Sequence, residues 1–99
     1  MIDSYYTEEC TFADVTQEMI NLQSAKNHDY GGAYYENLDD EKLAAARIAI
    51  GNKWRRFKNI SNIQDRNVNE PLEDTLIDLA SYAIMTVQWL RKHDISSNK

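Results

Sequence analysis

Apolar residues recur at steps of three and four along most of this chain, and that spacing constrains the fold more than any other feature. Residues three and four apart share one face of an α-helix, whereas a half-buried strand alternates in twos. The pattern predicts helices at about residues 12–28, 40–58 and 71–92. We therefore expect an all-α fold in which residues 1–99 form a single helical domain, a compact bundle of three main helices.

The ends of the predicted helices carry start and stop signals. Thr11 is a possible N-cap of the first helix, with Asp14 three positions later. The paired glycines Gly31–Gly32 end that helix, because glycine readily adopts the left-handed backbone found at helix C-termini. A loop is expected next, and Asp39 or the aspartate after it can cap the second helix. The polar residues 93–99 are expected to form a frayed tail.

The third predicted helix has two different faces. Asp74, Asp78 and Tyr82 stand one turn apart on one side, and Met85 and Trp89 continue this stripe. An acid in the second turn without Lys or Arg at i+4 gains little from local helix electrostatics, so Asp78 is a candidate functional residue. A broad apolar arc on the other side is expected to pack on neighbouring helices: Leu72, Leu76, Leu79, Ala80, Ala83, Ile84, Val87 and Leu90.

The second predicted helix supplies a basic cluster. Lys53 and Arg56 lie one turn apart and can grip adjacent phosphate oxygens, with Arg56 offering a planar fork of donors. For Arg55 and Lys58, compensation of the helix dipole and solubility are the preferred explanations. Lys53 and Arg56 are therefore candidate phosphate-binding residues, although dipole compensation explains them nearly as well.

Two acids of the first predicted helix are candidate functional residues. Glu18 and Asp29 project to nearly the same side of the helix, three turns apart. At 1.5 Å per residue they are separated by about 16 Å, so they cannot share one metal ion. They could mark two ends of a groove, while Glu18 taken alone is also an ordinary solvated acid.

The end of the first predicted helix combines charged, aromatic and glycine residues. Lys26, Tyr30 and Gly31 are followed by the aromatic pair Tyr34 and Tyr35. This arrangement can form a rim on which a planar base stacks. The alternative is a helix C-cap whose tyrosines cover the end of the bundle.

Size, charge and composition limit the partners and the location. A net charge of −5 excludes nonspecific duplex binding, which needs clustered excess Lys and Arg. One cysteine, no signal-peptide pattern and no apolar run near 20 residues predict a cytoplasmic protein without membrane insertion. A single small core is expected to gain from a partner subunit, so a homodimer is expected.

Several motifs in order resemble the nucleotide modification associated domain 1 family. They are KNHDYG at residues 26–31, the basic pair Lys53 and Arg56, EPLEDT at residues 70–75 and DLASYAIM at residues 78–85. Members of that family are small proteins common in bacteriophages, and they look like relatives of the MazG-type all-α nucleoside triphosphate pyrophosphatases. The resemblance covers roughly residues 12–90.

The resemblance implies a helical bundle, usually dimeric, with a nucleotide pocket and Mg²⁺ held by helix carboxylates. In a catalytic version Asp74 and Asp78 would hold the metal, while Glu18 or Asp29 would orient the attacking water. This sequence departs from the MazG pattern, because an early Glu-x-x-Glu pair is replaced by Glu18-Met19-Ile20-Asn21, with one acid missing. Nucleotide contacts would come from six residues: Lys26, Tyr30, Gly31, Lys53, Arg56 and Tyr82.

Three functions follow as hypotheses. The leading one is Mg²⁺-dependent hydrolysis of a nucleoside triphosphate in phage nucleotide metabolism, which would place the protein in the host cytoplasm. The second is binding without turnover, in which the protein sequesters a nucleotide or a cyclic nucleotide signal as an anti-defence protein. The third is a dimeric interaction module that recruits a protein through an exposed stripe of Tyr82, Met85 and Trp89.

Overall fold

The computed structural model describes residues 10–30, 32–63 and 69–93, and for residues 26–30 it describes the backbone only. Every regular element in these ranges is a helix, which confirms the all-α fold class. No helix in the described ranges is both long and apolar enough to cross a membrane. The described ranges contain four helices: α1 (Phe12–Tyr30), α2 (Ala33–Glu41), α3 (Leu43–Ser61) and α4 (Asn69–His93).

The expected count of three main helices is wrong, because α2 occupies the segment predicted as a loop. Helices α1, α3 and α4 correspond to the three predicted ones, with ends displaced by up to three residues. The chain divides after Gly32 into two compact units, of which the first contains α1 and the second contains α2, α3 and α4.

Helix α1 begins at the predicted cap. The backbone N–H of Asp14 donates to Thr11 Oγ1 at 3.0 Å, and the backbone N–H of Thr11 donates to Asp14 Oδ2 at 3.1 Å. This reciprocal pair satisfies backbone donors that the first helical turn leaves without partners. After α1 ends at Tyr30, Gly32 has a φ of 75°, the left-handed conformation expected of a glycine at this boundary.

Helix α2 is secured to α4 by side-chain hydrogen bonds. The hydroxyl of Tyr35 donates to Gln88 Oε1 at 2.7 Å, and the indole Nε1 of Trp89 donates to Asp39 Oδ1 at 2.9 Å. Asp39 therefore does not cap α3 as expected. Lys42, with a φ of 59°, stands before α3, and no side chain caps that helix.

The core of the second unit lies where α2 meets α3 and α4. Leu38 of α2 is fully buried, and Trp89 of α4 is 3% exposed. On α3 the buried residues are Ala45 and Ala46, whose small side chains allow close packing. Three partly buried residues complete the cluster: Tyr34, Ile50 and Leu90.

The packed face of α4 departs in part from the predicted one, although Leu90 of the predicted apolar arc does pack against the core. Met85 and Trp89, expected on an exposed stripe, are buried. Leu76, Ile84 and Val87, expected in the core, are 45%, 49% and 43% exposed. A protein-recruiting stripe made of Tyr82, Met85 and Trp89 is thereby excluded, because two of its three members have no surface to offer.

The C-terminal turn of α4 is ordered through His93, which was expected in the frayed tail. The His93 ring lies 4.4 Å from the Trp89 ring between centroids, and its Nε2 is 3.4 Å from Asp39 Oδ1. Residues 94–99 of the predicted tail lie outside the described residues.

Candidate functional site

A cluster of polar side chains joins α3 to α4, and we call Lys53, Arg56, Thr75 and Asp78 the polar seam. Lys53 Nζ lies 3.0 Å from Asp78 Oδ2. Arg56 Nε donates to Thr75 Oγ1 at 3.2 Å. The seam therefore contains two cations from one helix, each held by a different residue of the other.

Helix geometry explains why these four residues meet. Positions 53 and 56 lie one turn apart on α3, and positions 75 and 78 lie one turn apart on α4. Position 53 pairs with 78, and position 56 pairs with 75, so residue numbers rise on one helix as they fall on the other. The two helices therefore run antiparallel, and each polar pair adds a cross-link one turn from the other.

The ion pair of the seam is partly covered. The side chains of Lys53 and Asp78 are 28% and 22% exposed. Exposed pairs contribute about 0–1 kcal/mol, because water screens them and both side chains lose freedom. Because both side chains are partly exposed, a competing anion can reach Lys53 and a competing cation can reach Asp78. Their partial burial strengthens the attraction between each side chain and an ion bound to it.

The two faces of α3 use their cations differently. The helix carries five Lys and Arg residues and no acidic residue, within a chain of net charge −5. Arg55 turns to its own helix and donates from Nη2 to Asn52 Oδ1 at 2.8 Å. Lys58 Nζ lies 5.6 Å from the centroid of the exposed Trp54 ring. Arg55 and Lys58 therefore contact residues of their own helix, whereas Lys53 and Arg56 contact α4.

Thr75 was missed by the sequence analysis. Its side chain is 2% exposed, and its hydroxyl donates to the carbonyl oxygen of Pro71 at 2.7 Å. A bond to the carbonyl four residues earlier satisfies a threonine hydroxyl inside a helix and lets it occupy an apolar face. The available signal was a second threonine at the same helical angle: Thr86 lies 11 residues, or about three turns, further along.

Tyr82 lies one turn beyond Asp78, at the end of the seam nearer α2. Its ring meets that of Tyr34 edge to face, with centroids 4.8 Å apart. The Tyr34 hydroxyl lies 2.9 Å from Thr86 Oγ1. Burial raises the pKa of Tyr34, the bond to Thr86 partly offsets this by lowering it, and the charge of Tyr82 raises it again. Tyr34 therefore helps to secure α2, and Tyr82 is an aromatic residue one turn from Asp78 of the seam.

The acids predicted to hold a metal ion lie on one helix, with different surroundings. Asp74 is exposed, one turn before the partly buried Asp78. In the described part of the chain, no cluster of three or more His, Cys, Asp or Glu side chains could hold a metal ion. Mg²⁺ keeps several waters and can be bound by one or two carboxylates together with substrate phosphates. The donor set therefore fits a shared, phosphate-assisted Mg²⁺ site and does not fit an all-protein metal cage.

The remaining predicted residues belong to the first unit. Glu18 is exposed on α1. The backbone of Lys26, Asp29 and Tyr30 is helical, but their side chains lie outside the described residues, as does all of Gly31. Catalytic roles for Glu18 and Asp29, and nucleotide contacts from Lys26, Tyr30 and Gly31, stay predictions from the sequence.

The sequence comparison identifies the family. Residues 26–90 match the family described as nucleotide modification associated domain 1, which is more than half of the chain. The chain belongs to this family. The match confirms the family expected from the sequence motifs. Neither the curated proteins nor the solved structures include a match to this chain.

In this nucleotide modification associated domain 1 protein, the matched segment contains the whole polar seam. Chemically, the seam offers ammonium and guanidinium donors on α3, and a carboxylate and a hydroxyl acceptor on α4. Cations of this kind bind phosphate oxygens, and carboxylates bind a hard divalent cation. Its two helices thus present both of the groups that a Mg²⁺–polyphosphate ligand requires.

Proposed function

We propose that this protein binds a nucleotide through its phosphates at the polar seam, with Mg²⁺-dependent hydrolysis of a phosphoanhydride as its activity. The observation that carries the proposal is the pair of cations, Lys53 and Arg56, fixed to α4 beside Asp78. The family description, which concerns nucleotide modification, supports a nucleotide as the ligand.

Ligand binding at the seam exchanges ionic partners. In the structure, Lys53 Nζ and Asp78 Oδ2 lie 3.0 Å apart, so the two charges neutralise each other. A phosphate would take Lys53, and Asp78 together with Asp74 would hold Mg²⁺ when it is bound, so each partly buried charge of the ion pair keeps a partner of opposite sign. Binding of the phosphate and the cation is therefore cooperative, because either one alone gives up the Lys53–Asp78 attraction and replaces it for only one of the two residues.

The proposed reaction is transfer of the nucleotidyl group of a nucleoside triphosphate to water. Water oxygen bonds to the α-phosphorus, the bond to the bridging oxygen breaks, and pyrophosphate leaves while the water proton passes to solvent. Mg²⁺, when bound, neutralises charge on the phosphate oxygens. Lys53 and Arg56 contribute by donating to oxygens on which charge accumulates as the bond breaks. Tyr82 provides an aromatic surface at one end of the seam.

The test is a panel of nucleoside and deoxynucleoside triphosphates with and without Mg²⁺, measured by thermal shift and by release of monophosphate and pyrophosphate. Lys53→Met and Arg56→Ala should each weaken binding about tenfold or more, since a hydrogen bond to a charged group contributes about 1.5–3 kcal/mol. The matched controls are Lys58→Met and Arg55→Ala, which remove cations from other faces of the same helix and should leave binding within about twofold.

The acids are tested in parallel. Asp78→Asn should abolish the Mg²⁺ dependence of binding, whereas Glu73→Gln, on an exposed position of α4, should preserve it. A wild-type protein that shows neither a thermal shift nor turnover with any nucleotide would contradict the proposal. Full affinity in Lys53→Met and Arg56→Ala would place the nucleotide elsewhere.

Binding without turnover is the second candidate function. The early helix has Glu18 where the MazG pattern has a pair of acids, and this favours a protein that retains its ligand over one that cleaves it. In that case the seam mutants lose affinity as above, while no product forms from any nucleotide in the panel. Mass spectrometry of small molecules released by denaturing the purified protein would identify a retained nucleotide, linear or cyclic.

A further inference from the structure

Two buried threonines on α4 make the same bond to their own helix. Thr75 Oγ1 donates to the carbonyl oxygen of Pro71 at 2.7 Å, and Thr86 Oγ1 donates to that of Tyr82 at 2.7 Å. A hydroxyl has a single hydrogen, so each threonine can interact with another helix only as an acceptor. The two residues therefore hold their lone pairs toward the neighbouring helices.

The groups that donate to these threonines differ in character. Thr86 accepts from the Tyr34 hydroxyl at 2.9 Å, a neutral contact between partly buried groups that secures α2. Thr75 accepts from Arg56 Nε at 3.2 Å, although Arg56 is an exposed residue. An exposed arginine ordinarily samples many rotamers and loses that freedom when it binds a ligand. Here a residue that is 2% exposed restrains the guanidinium before any ligand arrives.

We propose that Thr75 is a positioning residue for phosphate binding, acting through Arg56. The bond at Nε fixes the guanidinium plane and leaves the four N–H groups of Nη1 and Nη2, which form the fork that grips two phosphate oxygens. Lys53, one turn away on α3, supplies the next positive charge along a diphosphate. The inference rests on the proposed function and specifies the group that the seam recognises, which is a pyrophosphate moiety.

Preorganisation gives this proposal a measurable consequence. A guanidinium already held in place loses less conformational freedom on binding, so affinity is higher than an untethered arginine would give. Removing the tether lowers affinity for phosphate without removing any atom that touches the ligand. The probe is inorganic pyrophosphate with Mg²⁺, titrated calorimetrically into the full-length protein.

Thr75→Val is the principal variant, because valine keeps the branched shape and loses the hydroxyl. It should weaken pyrophosphate binding by about three- to tenfold. Thr75→Ser, which restores the acceptor, should return affinity to within about twofold of wild type. Thr86→Val is the matched control: it makes the same change on the same helix, loses the equivalent contact to α2, and should leave pyrophosphate affinity unchanged.

A double-mutant cycle separates positioning from general damage to the helix. In an Arg56→Ala background, Thr75→Val should have no further effect, because the tethered group is already absent. Should Thr75→Val fail to fold, Arg56→Lys serves instead. It keeps a positive charge but lacks the Nε donor, so Thr75→Ala should weaken pyrophosphate binding in the wild-type background and have no further effect in the Arg56→Lys background.

The outcomes distinguish this inference from the proposed function. Wild-type affinity in Thr75→Val, or an equal loss in the wild-type and Arg56→Ala backgrounds, would overturn positioning while nucleotide binding stands. A loss of pyrophosphate affinity in Thr86→Val as large as in Thr75→Val would also overturn it. A wild-type protein that binds neither pyrophosphate nor any nucleotide would overturn both.

Discussion

Two glycines of this chain have opposite backbone requirements, and the difference predicts opposite effects of the same substitution. Gly51 lies inside α3, where an added Cβ would meet only the Arg55 guanidinium, at 3.7 Å. Gly32 has a φ of 75°, which strains any residue with a Cβ. We expect Gly51→Ala to stabilise the protein by about 0.5–1 kcal/mol, because alanine restricts the unfolded chain and favours the helix.

Gly32→Ala is the matched comparison, and it should destabilise the protein by about 1 kcal/mol. The free energy of unfolding from urea titrations followed by circular dichroism measures both variants. A destabilising Gly51→Ala would mean that the contact with Arg55 does not relax, whereas a neutral Gly32→Ala would mean that the backbone at this boundary shifts at little cost.

At the scale of elements, the contact between α2 and α4 predicts a dependence on alkaline pH. Burial raises the pKa of Tyr34, with the Thr86 bond opposing and Tyr82 adding to the shift. Well below pH 10, the ordinary pKa of tyrosine, both folded and unfolded states keep the Tyr34 proton, so its contribution to stability is fully present. As the pH rises toward the folded pKa, the unfolded state ionises first and this contribution is lost.

Tyr34→Phe removes that titration together with the hydroxyl bond to Thr86. We expect the variant to be less stable by about 1 kcal/mol at pH 7, since one partly buried hydrogen bond is lost. The difference from wild type should then shrink above about pH 10. Urea titrations at several pH values between 7 and 11 measure it, and a difference that stays constant over this range would contradict the assignment.

The faces of α4 show where sequence periodicity stops being informative. The helix carries apolar residues on two sides, so a spacing of three and four predicts a helix correctly without saying which side packs. The exposed side contains the aliphatic residues Leu76, Ile84 and Val87, whereas the buried side contains Thr75 and Thr86. Each threonine hydroxyl is satisfied by a hydrogen bond to a carbonyl oxygen of its own helix, so the side chain can be buried. The sequence alone does not show whether that bond forms.

The segment that forms α2 was predicted as a loop because of the residues that precede it. Two glycines precede it, and glycines commonly introduce a loop, but the segment that follows is a helix of nine residues whose Leu38 is fully buried. Its two tyrosines, Tyr34 and Tyr35, predicted to form a stacking rim, form hydrogen bonds to α4 through their hydroxyls. Helices this short depend on tertiary contacts for stability, and propensity alone does not identify them.

The candidate site was predictable in part. Lys53 and Arg56 were selected because their spacing places two cations on one helical face, and Asp78 because no basic residue follows it at i+4. That Lys53 faces Asp78 and Arg56 faces Thr75 depends on the register of α3 against α4, which only the packed structure specifies. Thr75 was not predicted as a site residue, because the sequence does not show that its hydroxyl accepts a hydrogen bond from Arg56.

At the scale of the whole molecule, the second apolar face of α4 bears on the expected homodimer. Leu76, Ile84 and Val87 remain about half exposed, with the smaller Ala80 and Ala83 between them. The residues from Leu76 to Val87 span about 16 Å of the helix, so this face would supply one part of the roughly 800 Å² per partner that stable interfaces bury. We propose that a second copy of this chain packs against this face, since burying apolar area is favourable by about 25 cal/mol per Å².

The double variant Ile84→Glu with Val87→Glu tests this proposal. Two carboxylates placed at the centre of an apolar contact cannot be buried without partners, so a dimer formed there should dissociate to monomers. Light scattering coupled to size-exclusion chromatography measures the mass, and far-ultraviolet circular dichroism checks that the helices persist.

Ile48→Glu is the control, because Ile48 is an exposed apolar residue of α3 and its replacement should leave the mass unchanged. A wild-type monomer, or a double variant that stays dimeric, would refute this interface while leaving the phosphate-binding proposal intact, because Lys53, Arg56, Thr75 and Asp78 meet within one chain.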